Sequence, residues 1–255
     1  MSPLRRFIFL ASLAALSHAA PSLLIAPQPP TYLFQVTVRY PASKLPQSQQ
    51  LFLRGDSCGL KWTQGIPLSK SPTQADAWFV ALTCDGAARA GIISMKVLVD
   101  DDTWSLGCNM HAAAGSSAAV LYPWFYTSAG HYEYVRDVHS PQLGNTRDLV
   151  VYLPPSYTEN TLKAIENVLV MHDGQNLFNE STSAFGCWHC DTTADASIIA
   201  GAVEEVAIVG VDNTDDRTNE LTCVPPAFSR CVFVTSCAGT LLTRARQRAA
   251  KATSI

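Results

Sequence analysis

The chain has 255 residues, 47% of them hydrophobic, enough to fill one large core or two modest ones. Its formal net charge of −3 gives no reason to expect nucleic acid or an anionic membrane surface as a partner. Eight cysteines, an even but irregularly spaced set, fit an exported protein without fixing their connectivity.

Residues 1–20 read as a secretory signal peptide. Arg5 and Arg6 precede an apolar run over 7–16, followed by the small residues Ser17, Ala19 and Ala20 around His18. The run is too short to span a bilayer, and no later segment is long and apolar enough to do so. The expected location is therefore extracellular or the lumen of the secretory pathway, with no membrane attachment after cleavage. A short membrane anchor or the first part of an organelle-targeting leader is the alternative.

Residues 31–115 read as a small β-sandwich. Tyr32 to Val38, Gln50 to Leu53 and Ala77 to Leu82 alternate, and 92–99 follows with a turn at Asp100-Asp101-Asp102. Residues 116–130 read as a linker, because 112–119 is low in complexity. From 131 the pattern changes. Residues 131–138 and 146–153 suggest an antiparallel pair, ended by Pro154-Pro155. A strand over 167–171, a helix over 193–200 and a strand over 205–211 then form a βαβ unit, so the sheet becomes parallel. Its two strands deliver His172-Asp173-Gly174-Gln175 and Asp212-Asn213-Thr214 to one edge, where α/β sheets gather ligands. Residues 223–255 shift in composition again and read as a divergent tail, disordered or ending in a basic helix.

Several ordered motifs now carry a resemblance. They are Leu121-Tyr122-Pro123-Trp124-Phe125, then Arg147-Asp148 through Leu153-Pro154-Pro155-Ser156-Tyr157, then Met171-His172-Asp173-Gly174-Gln175-Asn176-Leu177-Phe178. Glu205 through Val211-Asp212-Asn213-Thr214 follows, with Arg217 and Glu220 behind it. Together, over roughly 121–222, they resemble the Putative esterase family of α/β-hydrolases, which includes esterase D-like and enterochelin esterase-like enzymes. The resemblance implies a mixed, mainly parallel sheet over 131–222 and carboxylic ester hydrolysis through a serine acyl-enzyme, with no cofactor and no metal. It places His172, Asp173, Gly174 and Gln175 in the loop that supplies a backbone N–H to the oxyanion hole. Asp212, Arg217 and Glu220 line the neighbouring rim. The preceding unit is similar to starch-binding-type or immunoglobulin-like modules, through Arg54-Gly55-Asp56, Leu60-Lys61-Trp62, Trp78 and Trp104 to Asn109. Trp62, Trp78 and Trp104 are then candidates for stacking on sugar rings.

Such a hydrolase also needs a serine on a G-x-S-x-G elbow, with its acid and histidine later in the chain. The one match, Gly55-Asp56-Ser57-Cys58-Gly59, precedes the parallel strands and runs into Gly65 and Pro67, which suit no helix. The same Gly-Asp-Ser fails as a trypsin-like site, because the only histidine before it is His18. No elbow follows Val211, and His189 is the last histidine. The expectation is an incomplete α/β-hydrolase domain without a nucleophile or triad histidine, as if a different reading frame had been joined after Thr222. The alternative function is a secreted, non-catalytic carbohydrate-binding protein. The partners to expect are a small-molecule ester or a glucan, and a second copy through an open sheet edge at 168–171.

Smaller signals complete the reading. Cys187-Trp188-His189-Cys190 has a redox-motif spacing, but no strand leads directly into it, so structural or unpaired thiols are expected. Asn179-Glu180-Ser181 is a glycosylation acceptor pattern if the chain is exported.

Overall fold

The computed structural model describes residues 31–85, 91–141 and 144–218. Residues 1–20, whose sequence reads as a signal peptide, Glu220 and the tail from 223 lie outside the described residues. Strands dominate among the described residues, in three sheets, one antiparallel and two mixed, each mixed sheet carrying one parallel pair.

The N-terminal unit holds two sheets. The first has β1 (Thr31–Arg39) at its centre, antiparallel to β5 (Ala77–Asp85) and parallel to β9 (Ala118–Leu121), with the short β4 (Ser69–Lys70) outside β5. The second pairs β2 (Leu51–Gly55) with β3 (Ile66–Pro67) and with β6 (Ile92–Val99). In turn β6 pairs with β7 (Thr103–Trp104) and β8 (Met110–Ala113). Alternation decides which side chains turn inward. Phe34, Val36 and Val38 of β1, Leu82 of β5, Leu51 and Leu53 of β2, and Ile93, Met95 and Val97 of β6 share one buried cluster. A disulfide joins Cys58, in the turn after β2, to Cys84 of β5 and so staples the two sheets. Residues 118–121, inside the segment whose composition suggests a linker, are strand β9. Small Ala118 and Ala119 add to the β1 edge there by backbone pairing, which needs no large side chain.

The third sheet runs β10 (His131–Ser140), β11 (Asn145–Leu153), β13 (Val206–Val211), β12 (Asn167–His172). Here β10, β11 and β13 are antiparallel neighbours, while β12 and β13 are parallel. Helix α2 (Cys190–Ile199) makes the crossover and begins three residues before the sequence suggests. It is held to the sheet by Asp195, which accepts the Tyr152 hydroxyl at 2.7 Å and the Gly130 N–H at 2.8 Å. Pro155 does not merely stop β11. It opens the short helix α1 (Pro155–Glu159), where a missing N–H costs nothing.

α1 also ties the two units together. Glu159 is 3% exposed, and its carboxylate accepts the N–H groups of Phe125, Tyr126 and Thr127 at 2.6–2.9 Å and the Tyr40 hydroxyl at 2.9 Å. Beside it, the Asn160 amide donates to the carbonyls of Arg39 and Pro123. The end of β1, the segment 123–127 and α1 thus meet at one buried charge.

Candidate functional site

The site is built at the carboxyl ends of β12 and β13. After His172 the chain turns sharply: Asp173 is left-handed (φ 56, ψ 48), a conformation Asp tolerates better than most residues, and Gly174–Asn176 form one 3-10 turn. Gly174 is required by proximity. A Cβ there would lie 2.6 Å from Asp212 Oδ1 and 2.7 Å from the Gly210 carbonyl carbon. Gly210 on β13 answers it, since a Cβ there would meet Gly174 Cα at 2.9 Å. The two glycines let the turn lie directly on the neighbouring strand, with Leu177 fully buried behind it.

Side chains fix the turn from the other side. Arg217 donates to both oxygens of Asp173, Nε to Oδ1 at 2.8 Å and Nη2 to Oδ2 at 2.6 Å, and Asn213 Nδ2 adds a third contact at 3.3 Å. The Arg217 guanidinium holds the Asp173 carboxyl below the usual carboxylate range, although partial burial works the other way. Gln175 accepts the Asn213 N–H through Oε1 at 3.2 Å. Asp212 behaves differently: burial, then the charge of Asp148, pushes its carboxyl up. Its Oδ1 is buried without a hydrogen bond among the described residues. Its backbone is pinned, its N–H donating to Asp148 O at 3.0 Å and its carbonyl accepting from Arg147 at 3.1 Å.

Asp173, Gly174, Gln175, Asp212 and Arg217 are therefore brought together, with His172 as the last residue of β12. Among the described residues the N–H groups of Gly174 and Gln175 meet no backbone acceptor, whereas those of Asn176 and Leu177 close the turn onto Asp173 and Gly174. Such a turn offers fixed N–H donors at a strand end, the arrangement that stabilises a developing oxyanion. Ser181 and Ser183, the nearest serines along the chain, are engaged locally. Ser181 bonds to Asn179, and Ser183 contacts Asn176 Oδ1 and the Gly186 carbonyl.

Ser57 lies in the N-terminal unit, in a turn after β2 that leads into no helix, and donates to Asp56 Oδ1 at 2.9 Å. The tryptophans separate. Trp78 is 5% exposed in the core, whereas Trp62 and Trp104 are 36% and 41% exposed and stacked at 6.4 Å and 29°. Arg54 organises that pair: it donates to the Trp62 carbonyl at 3.1 Å, and its guanidinium lies 5.1 Å from the Trp104 ring centroid. Asp101 holds Arg54 in place by an ion pair at 2.8 Å, a role beyond the turn its sequence suggests. Among the described residues no group of three or more His, Cys, Asp or Glu is set to bind a metal, and no helix is long and apolar enough to cross a membrane.

Comparison with known proteins supplies a relationship for the third sheet. Residues 140–240 match the protein family described as Putative esterase. That stretch is therefore related to the esterases. The match continues into the segment after 222 whose composition reads as divergent. Among solved structures the chain matches ferric enterobactin esterase from Salmonella typhimurium at 11% identity, over 80% of this chain and 59% of that one, with a TM-score of 0.24. The chain thus spans less than two thirds of that enzyme's length, and the overlay carries no structural argument. A search of curated proteins gives no match.

Proposed function

We propose that this is an esterase-family protein carrying the oxyanion side of a serine carboxylic ester hydrolase site, and that these 255 residues do not complete the reaction. The turn after β12 supports the first half: its backbone is fixed before any substrate arrives, by the Gly174–Gly210 approach and by the Asp173–Arg217 pair. The second half rests on what the turn has to serve. A hydroxyl nucleophile needs a strand-to-helix elbow beside it and a histidine to take its proton. Ser57 occupies the one G-x-S-x-G pattern and belongs to another sheet unit. His189, the last histidine, stands 3.2 Å from Glu180 on an exposed loop. The Cys58–Cys84 disulfide supports an oxidising, secretory-pathway location. The test is turnover of p-nitrophenyl acetate by the purified chain. The expected rate equals that of buffer and is unchanged in Ser57→Ala; saturable turnover would refute the reading.

A second function is favoured by one observation, the exposed and preorganised Trp62–Trp104 pair. Two stacked indoles held by Arg54 form an apolar surface for the face of a sugar ring, so the N-terminal unit acts as a glucan-binding sandwich. Titration with a soluble glucan oligosaccharide, followed by tryptophan fluorescence, should saturate. Trp62→Ala and Trp104→Ala should each weaken binding by about tenfold or more, the loss of roughly 1.4 kcal/mol of stacking. No fluorescence change in the unsubstituted protein would exclude this role.

A further inference from the structure

We propose that Cys187 and Cys190 form a dithiol–disulfide couple, a modification site on the segment that folds back against the candidate oxyanion loop. Cys190 is the first residue of α2 and Cys187 lies three residues before it. Between them His189 is left-handed (φ 51, ψ 40), which turns its N–H onto Cys187 Sγ at 3.3 Å. The sulfur is thereby folded back over the peptide that leads to Cys190. Both thiols are partly exposed, so a small disulfide in solution can reach them. Cys108, the other described free cysteine, is occupied elsewhere, its Sγ 3.4 Å from the carbonyls of Gly201 and Val203. Burial pushes the Cys190 thiol up, with the charge of Cys187 adding to it.

The chemistry is thiol–disulfide exchange with oxidised glutathione. The Cys187 thiolate attacks one glutathione sulfur, forming a mixed disulfide and releasing one glutathione thiolate. Cys190 then attacks the Cys187 sulfur, closing the internal bond and releasing the second. The two protein thiol protons pass to the two leaving thiolates, and two electrons reduce oxidised glutathione to two thiols. The consequence reaches the candidate loop through the backbone. Trp188 N–H donates to Asn176 O at 2.8 Å and Cys190 N–H to Leu177 O at 3.0 Å. A ring closed across 187–190 restrains the peptide that makes both bonds.

The full chain is equilibrated in glutathione buffers of increasing oxidising ratio, quenched in acid, alkylated, digested and read by mass spectrometry. The expected result is loss of both alkyl groups together from the peptide carrying Cys187 and Cys190, with a disulfide internal to it. Cys190→Ser should instead accumulate glutathione on Cys187. Oxidation should slow amide exchange at Trp188 and Cys190 by about tenfold, as a local opening becomes harder. The inference is overturned if both residues stay alkylated in the most oxidising buffer, if each carries its own glutathione, or if either is bridged to Cys108, Cys223, Cys231 or Cys237. Unchanged exchange on oxidation would overturn the coupling to the loop.

Discussion

At the end of β12 a single turn asks for two different residues: Asp173 must accept a left-handed backbone and Gly174 must have no side chain. Gly174→Ala would drive a methyl to within 3 Å of backbone atoms of Gly210 and Val211, which cannot swing aside as a side chain can. The expected loss is about 2 kcal/mol of stability, read as a lower urea midpoint at constant slope. Arg217→Ala removes the partner of a largely buried carboxylate. Arg217 is itself about half exposed, so solvent screening keeps the loss small, and the urea midpoint should fall less than in Gly174→Ala. Some of this is legible in the sequence: a polar, glycine-bearing turn after a strand announces itself. The Gly174–Gly210 contact does not, because it joins residues from different strands. Trp78 was readable too. Alternation along β5 puts it on the face of Leu82 and Cys84, inside, and only its residue type suggests a ligand.

At the scale of elements, α1 and the segment 123–127 are the part that sequence patterns conceal. Glu159 is satisfied mainly by backbone N–H groups more than thirty residues away, and no side-chain pattern records that. Burial alone raises its pKa; the N–H donors and the Tyr40 hydroxyl outweigh it, leaving the carboxyl below its usual value. The stability Glu159 contributes is therefore fully present above the unfolded value, about 4.3, and is lost as pH falls through the depressed folded one. Glu159→Gln should cost about 3 kcal/mol at neutral pH, and the gap from the unsubstituted protein should close in acid, measured by urea unfolding across a pH series. β12 raises the opposite issue. It is the edge of its sheet among the described residues, and Leu169 is 48% exposed. Unpaired edges invite pairing with another chain, so Leu169→Lys should lower concentration-dependent association in sedimentation velocity.

At the scale of the molecule, the chain joins a two-sheet unit with a stacked tryptophan pair to a sheet related to the esterases. The longer strands of both were legible because alternation and β-branched runs are local signals, whereas β3, β4, β7 and β8, of two to four residues, are too short to show one. β9 was hidden because it opens on Ala118-Ala119 directly after a Gly- and Ser-bearing stretch, which reads as a linker. We propose that the turn after β12 finds no activated serine to serve among these 255 residues. Labelling with a fluorophosphonate, which phosphonylates activated serine nucleophiles and leaves ordinary serine hydroxyls unmodified, tests this. No serine should be labelled in the folded, purified chain. Stoichiometric labelling of any serine, mapped by mass spectrometry, would contradict it.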